Sequence, residues 1–243
     1  MSTAAGFHNR KSEFCVICAS VPATTVEHIP AKLFFDKPLP DNLITVPSCE
    51  PCNRGSQHED EYLRAFLMSI QHPVSTPAME NVRYRTIRHL HRKDHPGLKI
   101  AMQRASTFRQ TGLTPDGRPV IELFAKPYRD RLGKVLEKYA RGLHFWSTGR
   151  TLPLNASPSI ERIFCLETRP AEYWDSLIAA AEYARAGTVT MIGSKAEFRY
   201  SFRAIRSGDA LSVMVLDFYG VFPYVVLWMK PGTDFARPLA LPF

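Results

Sequence analysis

The sequence predicts an α+β protein, with a small ββα unit near the N-terminus and a larger α+β domain with an antiparallel sheet. Three observations lead to this prediction. Two Cys-x2-Cys pairs enclose two short extended stretches, helix and strand patterns mix along the rest of the chain, and the last strands follow one another as in a meander. A chain of 243 residues is long enough to bury a substantial core.

The N-terminal unit is predicted over residues 14–72, after a loose polar leader at 1–13. Residues 22–29 and 42–46 form two short extended stretches, and the prolines between them exclude regular structure there. The helix of the unit follows the second cysteine pair. The order of these elements is therefore strand, strand, helix.

The helix is indicated by apolar residues that recur at three- and four-residue spacing over 62–70. Asp60 and Glu61 fall in its first turn, where acids suit the helix dipole. We expect these two acids to serve that helix end or to pair locally with Arg64.

A basic helical connector is predicted over 73–99. Helical spacing is present over 79–92, and Pro96-Gly97 then indicates a break near a domain boundary. Eight lysines or arginines lie between Arg83 and Arg109, against one acid. Three histidines occur in the same stretch without carboxylates, so we expect them to be solvated or to face phosphate; they are His89, His91 and His95.

The C-terminal α+β domain is predicted over 100–243. Its expected strands are 100–110, 120–126, 163–167, 188–192, 197–205, 211–218 and 223–229, and its expected helices are 129–144 and 171–184. No catalytic motif is present in it. Substrate recognition, oligomerisation and sensing of a signal are the roles left open for this domain.

The formal charge of +8 and the sequence pI near 9.4 favour a polyanionic partner, with nucleic acid first and an acidic membrane surface second. The excess lies in the middle of the chain, since residues 101–160 hold 10 basic and 4 acidic side chains. No segment has the length of a membrane span, and residues 1–14 have no apolar signal region. We therefore expect a reducing, cytoplasmic location and no membrane association.

Four of the five cysteines have the spacing of a four-thiolate zinc site, namely Cys15, Cys18, Cys49 and Cys52. Zinc would supply folding energy that so small a unit cannot obtain from its own core. A closed four-cysteine site leaves no open coordination position, so this Zn²⁺ is expected to be structural. Cys165 stands alone in an apolar stretch and is expected to be an inert buried thiol.

The residues around the cysteines carry a family resemblance. The segment EHIPAKLFFDKPLPDNLITVPSCEPCNRGSQHEDEYLR resembles the bacterial HNH endonucleases, whose motifs DHxPPK, DNLITVPxC and CNxGxSxxDEY it follows in order and spacing. The resemblance covers about residues 14–67, and it implies a treble-clef, ββα-metal fold stapled by zinc. It also implies hydrolysis of phosphodiester bonds with one further divalent ion, usually Mg²⁺.

Four residue roles follow from the resemblance. His28 would be the general base that activates water, and Glu27, where the family usually has Asp, would bind the divalent ion. Asn53 would be the second ligand of that ion, and Asn42 would hold the loop that orients the histidine. The chemistry agrees with these roles, since Mg²⁺ prefers carboxylate and amide oxygens and an imidazole titrates near neutral pH.

Several neighbours are secondary candidates. His58 is a further candidate ligand of the divalent ion, and Lys32 and Arg54 border the site and are candidates to hold phosphate. The basic connector adds candidate nucleic-acid contacts at Arg83, Arg85, Arg88 and Arg92.

The sequence thus predicts a DNA endonuclease acting on double-stranded DNA. Two alternatives stay open: a zinc-containing module that binds nucleic acid without cleaving it, and a structural knuckle in a protein-interaction adaptor. A purely structural knuckle needs neither His28 nor its adjacent acid, which favours the nuclease.

Overall fold

The computed structural model describes residues 12–70, 75–91, 96–104, 106–113, 117, 119–125, 129–162, 171–193, 197–205 and 210–230. Statements about structure below concern these residues. The leader predicted at 1–13 lies outside them except for its last two residues, and so do Arg92, His95, Cys165 and the strand predicted at 163–167.

The N-terminal part has the predicted strand, strand, helix order. Strand β1 is Thr25–Ile29 and pairs antiparallel with β2, Ile44–Ser48. Between them lies a single 3-10 turn at Lys32–Phe34. Two helices follow, a short α1 at Glu50–Arg54 and a longer α2 at Gln57–Ser69.

The connector contains two helices instead of one helix and a break. Helix α3 is Pro77–Leu90 and α4 is Pro96–Arg104. Pro96, expected to end regular structure, instead occupies the start of α4, where a proline loses no intrahelical hydrogen bond. The strand expected at 100–110 therefore begins only at β3, Ser106–Leu113, which pairs with β4, Pro119–Ala125, as a hairpin.

The C-terminal part has the predicted antiparallel sheet. Its elements are α5 (Arg129–Thr148), β5 (Ser157–Arg162), α6 (Ala171–Arg185), β6 (Thr188–Ile192), β7 (Phe198–Ala204), β8 (Ala210–Phe218) and β9 (Phe222–Met229). The strand order is β5-β9-β8-β7-β6, and every neighbouring pair is antiparallel. The α+β class is confirmed.

Both faces of the sheet are covered, which explains why β8 and β9 are apolar without alternation. Successive side chains of a strand point to opposite faces. Val213 and Leu227 belong to the cluster packed against the alanines of α6, whereas Met214 and Trp228 belong to the larger cluster shared with α5 and the N-terminal part. The sheet is therefore the middle layer of three.

Helix α5 joins the two halves of the molecule. Its buried side contacts α2 as well as β1, β2 and β5. At Gly142 a β-carbon would lie 2.8 Å from the Ile29 side chain, so the glycine permits α5 to approach β1 closely. The rings of Phe34, Tyr139 and Phe218 meet in this layer, with Phe34 and Phe218 centroids 5.2 Å apart.

One hydrophobic core consequently extends from Val16 to Trp228. It crosses both boundaries that the sequence suggested, at 72/73 and at 99/100. Within the described ranges, no helix has the length and apolar character needed to span a bilayer.

Candidate functional site

Four cysteines from two separate turns meet at one point. Cys15 and Cys18 lie on a tight knuckle, closed where the Ala19 N–H donates to Cys15 O at 2.8 Å. Cys49 caps the N-terminus of α1, and Cys52 lies in its first turn. The four sulfur atoms lie within 4.8 Å of one another, and Cys18 Sγ is 3.9 Å from Cys49 Sγ. A tetrahedral zinc ion with bonds of about 2.3 Å separates its sulfur ligands by about 3.8 Å, so the four thiols fit zinc.

The electrostatics of the cluster also favour a cation. Burial raises the pKa of Cys15, but backbone N–H groups of Cys18, Cys49 and Ile17 outweigh it and bring the pKa to about 7. Burial, the Cys49 thiol and the charge of Cys15 raise the pKa of Cys52 well above its ordinary value. A divalent ion would remove the repulsion between neighbouring thiolates and so favour their deprotonation.

Among the described residues, this is the only group of three or more His, Cys, Asp or Glu side chains close enough to hold a metal ion. The predicted structural zinc site is therefore compatible with the fold. The predicted Mg²⁺ site would not form such a group, because its two expected ligands are one carboxylate and one amide.

Strand β1 directs its acid and its histidine to opposite sides. Glu27 is only 4% exposed and points inward with Ile29, whereas His28 is half-buried and shares the outer face with Val26. Burial is the main cause that lowers the pKa of His28 below its ordinary value of 6.5, and the positive charge of Lys32 lowers it further. The imidazole is therefore neutral at pH 7 and able to accept a proton.

Glu27 is a buried carboxyl group with only one satisfied oxygen. Lys138 Nζ on α5 donates to Glu27 Oε1 at 3.3 Å, and Oε2 is buried without a hydrogen-bond partner among the described residues. Burial raises the pKa of Glu27 to about 7; the ammonium of Lys138 opposes this shift and the carboxylate of Asp60 adds to it. When Glu27 is ionised, its charge is therefore only partly balanced by Lys138.

The ammonium of Lys138 has closer partners than Glu27. It donates to both carboxylate oxygens of Asp60, at 2.9 and 2.7 Å, and to Ser56 Oγ at 2.9 Å. Tyr139 OH donates to Asp60 Oδ1 at 2.6 Å and accepts from the backbone N–H of Ala31 at 3.3 Å. Lys138 and Asp60 are 4% and 2% exposed, so this is a buried ion pair.

Sequence reasoning missed this network and assigned Asp60 to the helix end. Asp60 does lie in the first turn of α2, but its side chain turns into the core under Lys138. A signal was present in the spacing. Asp60 precedes Leu63 and Leu67 by three and seven residues, and Lys138 follows Val135 by three, so helical periodicity puts both charges on buried stripes.

Asn53 fastens helix α1 to strand β1. Its Nδ2 donates to Thr25 Oγ1 at 3.0 Å and to Val26 O at 2.9 Å, directly before Glu27 and His28. Its Oδ1 makes no hydrogen bond with any described residue, so this oxygen is available to a cation. The two residues predicted as ligands of the divalent ion thus lie on adjoining elements.

Asn42 holds the loop before β2 through two hydrogen bonds. Its Nδ2 donates to Met191 O at 2.9 Å, and its Oδ1 accepts from the Gly193 N–H at 3.1 Å. These bonds tie the loop before β2 to the edge of the C-terminal sheet. The described structure has no contact between Asn42 and His28; any effect of Asn42 on His28 passes through β2, which pairs with β1.

The secondary candidates of the N-terminal part are exposed. The His58 side chain is 82% exposed and its Nδ1 lies 3.9 Å from Glu61 Oε2, so it belongs to no described metal cluster. Arg54 pairs with Glu50 at 2.6 Å on the surface of α1. Lys32 is exposed and is close enough for its charge to act on His28.

The four predicted nucleic-acid contacts of the connector have different environments. Arg83 donates to backbone carbonyls at the end of α2, so it holds two helices together. Arg85 donates from Nη2 to Phe35 O at 2.8 Å and is only partly exposed. Arg88 is exposed, and Arg92 lies outside the described residues.

Comparisons with known proteins return no match: no family model, no curated protein and no solved structure is significantly similar to the chain. The HNH resemblance therefore depends on the quoted motifs alone.

The cysteine cluster is tested by its metal content. We expect the purified protein to contain one zinc ion per chain, and Cys49→Ser to lose it and to unfold at a lower temperature, because structural zinc contributes on the order of 10 kcal/mol to folding of small zinc units. Elemental analysis and thermal denaturation measure both effects. Cys165→Ser is the matched control and should keep its zinc; equal zinc loss in both variants would contradict the site.

The buried ammonium is tested by Lys138→Met. Two carboxylates then lose their counter-ion, and we expect a loss of about 3–5 kcal/mol in the free energy of unfolding at pH 7. Guanidinium denaturation measures it, with Lys134→Met as control because Lys134 is exposed one turn earlier on the same helix. A similar change in both variants would argue against a special role of Lys138.

Proposed function

We propose that the chain is an HNH-type endonuclease that hydrolyses phosphodiester bonds in DNA. The observation that carries the proposal is the junction at which Asn53 is hydrogen-bonded to β1 beside Glu27 and His28. The order of cysteine knuckle, two antiparallel strands and a helix that begins at the second cysteine pair supports a treble-clef, ββα-metal fold. In this proposal the four-cysteine zinc is structural.

His28 is the proposed general base. A base must be unprotonated at the working pH and near the water that it activates. The lowered pKa of His28 supplies the first condition, and its place on the outer face of β1 leaves it accessible to substrate. His28 therefore suits activation of water at neutral pH, on the face of β1 opposite to the Glu27 side chain.

A divalent ion such as Mg²⁺ fits the remaining donors. Glu27 Oε2 is buried without a partner, and Asn53 Oδ1 is unused among the described residues. Mg²⁺ needs only one or two protein oxygens, because it keeps several waters. When bound, the ion would neutralise charge on the phosphate and polarise its oxygens. Asn42 then acts only through the loop that it ties down.

One observation favours the alternative of nucleic-acid binding without cleavage. Lys138 Nζ is 3.3 Å from Glu27 Oε1, so the acid already has one cation beside it. A second cation at Oε2 must overcome repulsion by this ammonium. The alternative is a zinc module that binds nucleic acid. In it, Lys138 is the only cation that balances the carboxylates of Glu27 and Asp60.

Plasmid cleavage separates the two functions. We expect purified protein to nick or linearise plasmid DNA with Mg²⁺ or Mn²⁺, and His28→Ala to lower the rate by about 10²–10⁴-fold, the usual contribution of a general base. Val26→Ala is the matched control, because Val26 is exposed on the same face of the same strand. It should cleave at the wild-type rate.

Equal cleavage by His28→Ala and wild type would show that another protein or another residue is responsible. Absence of cleavage by the wild type on plasmid, single-stranded DNA and RNA, together with retained binding, would favour the alternative.

Glu27 is tested through the pH dependence of stability in metal-free buffer. Its folded-state pKa of about 7 exceeds the ordinary 4.5, so the folded protein binds more protons than the unfolded chain between these values. The contribution of Glu27 is therefore fully present below pH 4.5 and is lost as pH rises through about 7. Relative to Glu27→Gln, the wild type should lose about 1–3 kcal/mol between about pH 5 and about pH 8.

Adding Mg²⁺ at the higher pH should restore wild-type stability, since a ligand of the folded state raises its melting temperature. Denaturation with and without Mg²⁺ measures this directly. If Glu27→Gln gains as much from Mg²⁺ as the wild type, Glu27 is not a ligand.

A further inference from the structure

Helix α3 exposes a row of side chains suited to a ligand. Tyr84, Ile87, Arg88 and His91 follow at spacings that put them on one face of a helix. Tyr84 is 63% exposed and Ile87 47% exposed, and Arg88 and His91 are exposed as well. The opposite side of the helix is buried, with Val82 at 0%. We call this row the outer face of α3.

The outer face combines an aromatic ring with positive charge. The guanidinium carbon of Arg88 lies 5.8 Å from the centroid of the Tyr84 ring. An open cleft of about 570 Å³ lies along the same helix, and it is lined by Arg85, Ile87, Arg88, His89 and His91. Two of these five side chains are arginines and two are histidines; Arg85 also lies 3.5 Å from Asp36 Oδ1.

This chemistry suits a polyanion better than a protein surface. The face offers one tyrosine and one isoleucine as large apolar groups, which is little for the apolar core of a stable protein interface. Its cationic side chains, on a chain of net charge +8, are complementary to a phosphate backbone. Charge complementarity therefore selects nucleic acid as the occupant.

The exposed ring favours unpaired nucleotides over a duplex. In a duplex the base faces are covered by their neighbours, whereas an unpaired base can stack on a tyrosine ring, and stacking beside cationic groups is the usual mode of single-strand binding. Tyr84 is exposed enough for such stacking.

The outer face is also connected to the proposed catalytic strand. Arg85 donates to Phe35 O, and Asn81 Nδ2 on the same helix donates to Asp36 Oδ2 at 2.6 Å. Phe35 and Asp36 directly follow the turn that carries Lys32, which in turn follows His28 on β1. Helix α3 therefore contacts the segment that leads back to His28.

We propose that the outer face of α3 binds unpaired nucleotides, with Tyr84 stacked on a base and Arg88 and His91 against the phosphates. The choice of nucleic acid as the ligand rests on the proposed function, but binding on this face does not require cleavage. Its substrate is a single strand or an unpaired segment within a duplex.

Fluorescence anisotropy with a labelled oligothymidine of about 20 nucleotides and with a duplex of equal length tests this. The measurements use full-length protein in EDTA, where no divalent ion supports cleavage. The wild type should bind the single strand more tightly than the duplex. Tyr84→Ala should weaken single-strand binding by about 5- to 100-fold, the range for one lost base stack, whereas Tyr84→Phe should bind normally.

Arg88→Gln should lower the slope of log affinity against log salt by about 0.7, the value for one phosphate contact on a single strand. Two control substitutions lie on α6. Ile178→Ala removes an apolar side chain that is 46% exposed, and Arg185→Gln removes an exposed charge. Both should bind as the wild type does.

The outcomes separate this inference from the nuclease. If Tyr84→Ala binds the single strand like the wild type, the inference is overturned even where His28→Ala abolishes cleavage. If the wild type does not cleave but Tyr84→Ala loses single-strand binding, the inference stands and the nuclease proposal fails. A Tyr84→Ala effect confined to self-association, measured by sedimentation, would make the face a contact between copies and overturn the inference.

Discussion

The ammonium group of Lys138 is a buried charged contact between the N-terminal unit and the rest of the molecule. It reaches Glu27 on β1, Ser56 between α1 and α2, and Asp60 on α2, while its own helix belongs to the C-terminal half. A buried ion pair adds little net stability, because removing both charges from water costs about as much as their attraction returns. The ion pair instead selects one packing of α5, because any other packing would leave an uncompensated charge in the core.

The same contact relates the fold to the proposed chemistry. Two buried carboxylates face one ammonium, so the group is one positive charge short of neutrality. At low pH a proton on Glu27 supplies that charge, and in the proposed enzyme the divalent ion supplies it. Proton and metal therefore compete for Glu27, as they do at any site whose ligand must lose a proton to bind. The four-cysteine cluster is separate from this balance, since four thiolates would complete the coordination of a zinc ion without Glu27.

Local patterns predicted the parts of the structure that local physics determines. The strand–strand–helix order and the antiparallel sheet of the C-terminal part follow from periodicity and turn chemistry, although β5 at Ser157–Arg162 was not predicted. Contacts between distant segments were not predictable in this way: Lys138 and Asp60 are 78 residues apart, and Asn42 and Met191 are 149 apart. Pro96 shows a second kind of failure, because a proline that ends one element can equally begin a helix. The family resemblance pointed to Glu27 and His28, but it did not predict that Glu27 is covered by α5.

The hydrogen bonds of Asn42 have a consequence for the solubility of the sheet. Strand β6 is an edge strand, and the free backbone groups of an edge are a template for pairing with other chains. The amide of Asn42 takes up Met191 O and the Gly193 N–H as a neighbouring strand would. A single side chain thus covers part of the exposed edge. The loop that carries Asn42 therefore hinders the addition of a strand from another molecule.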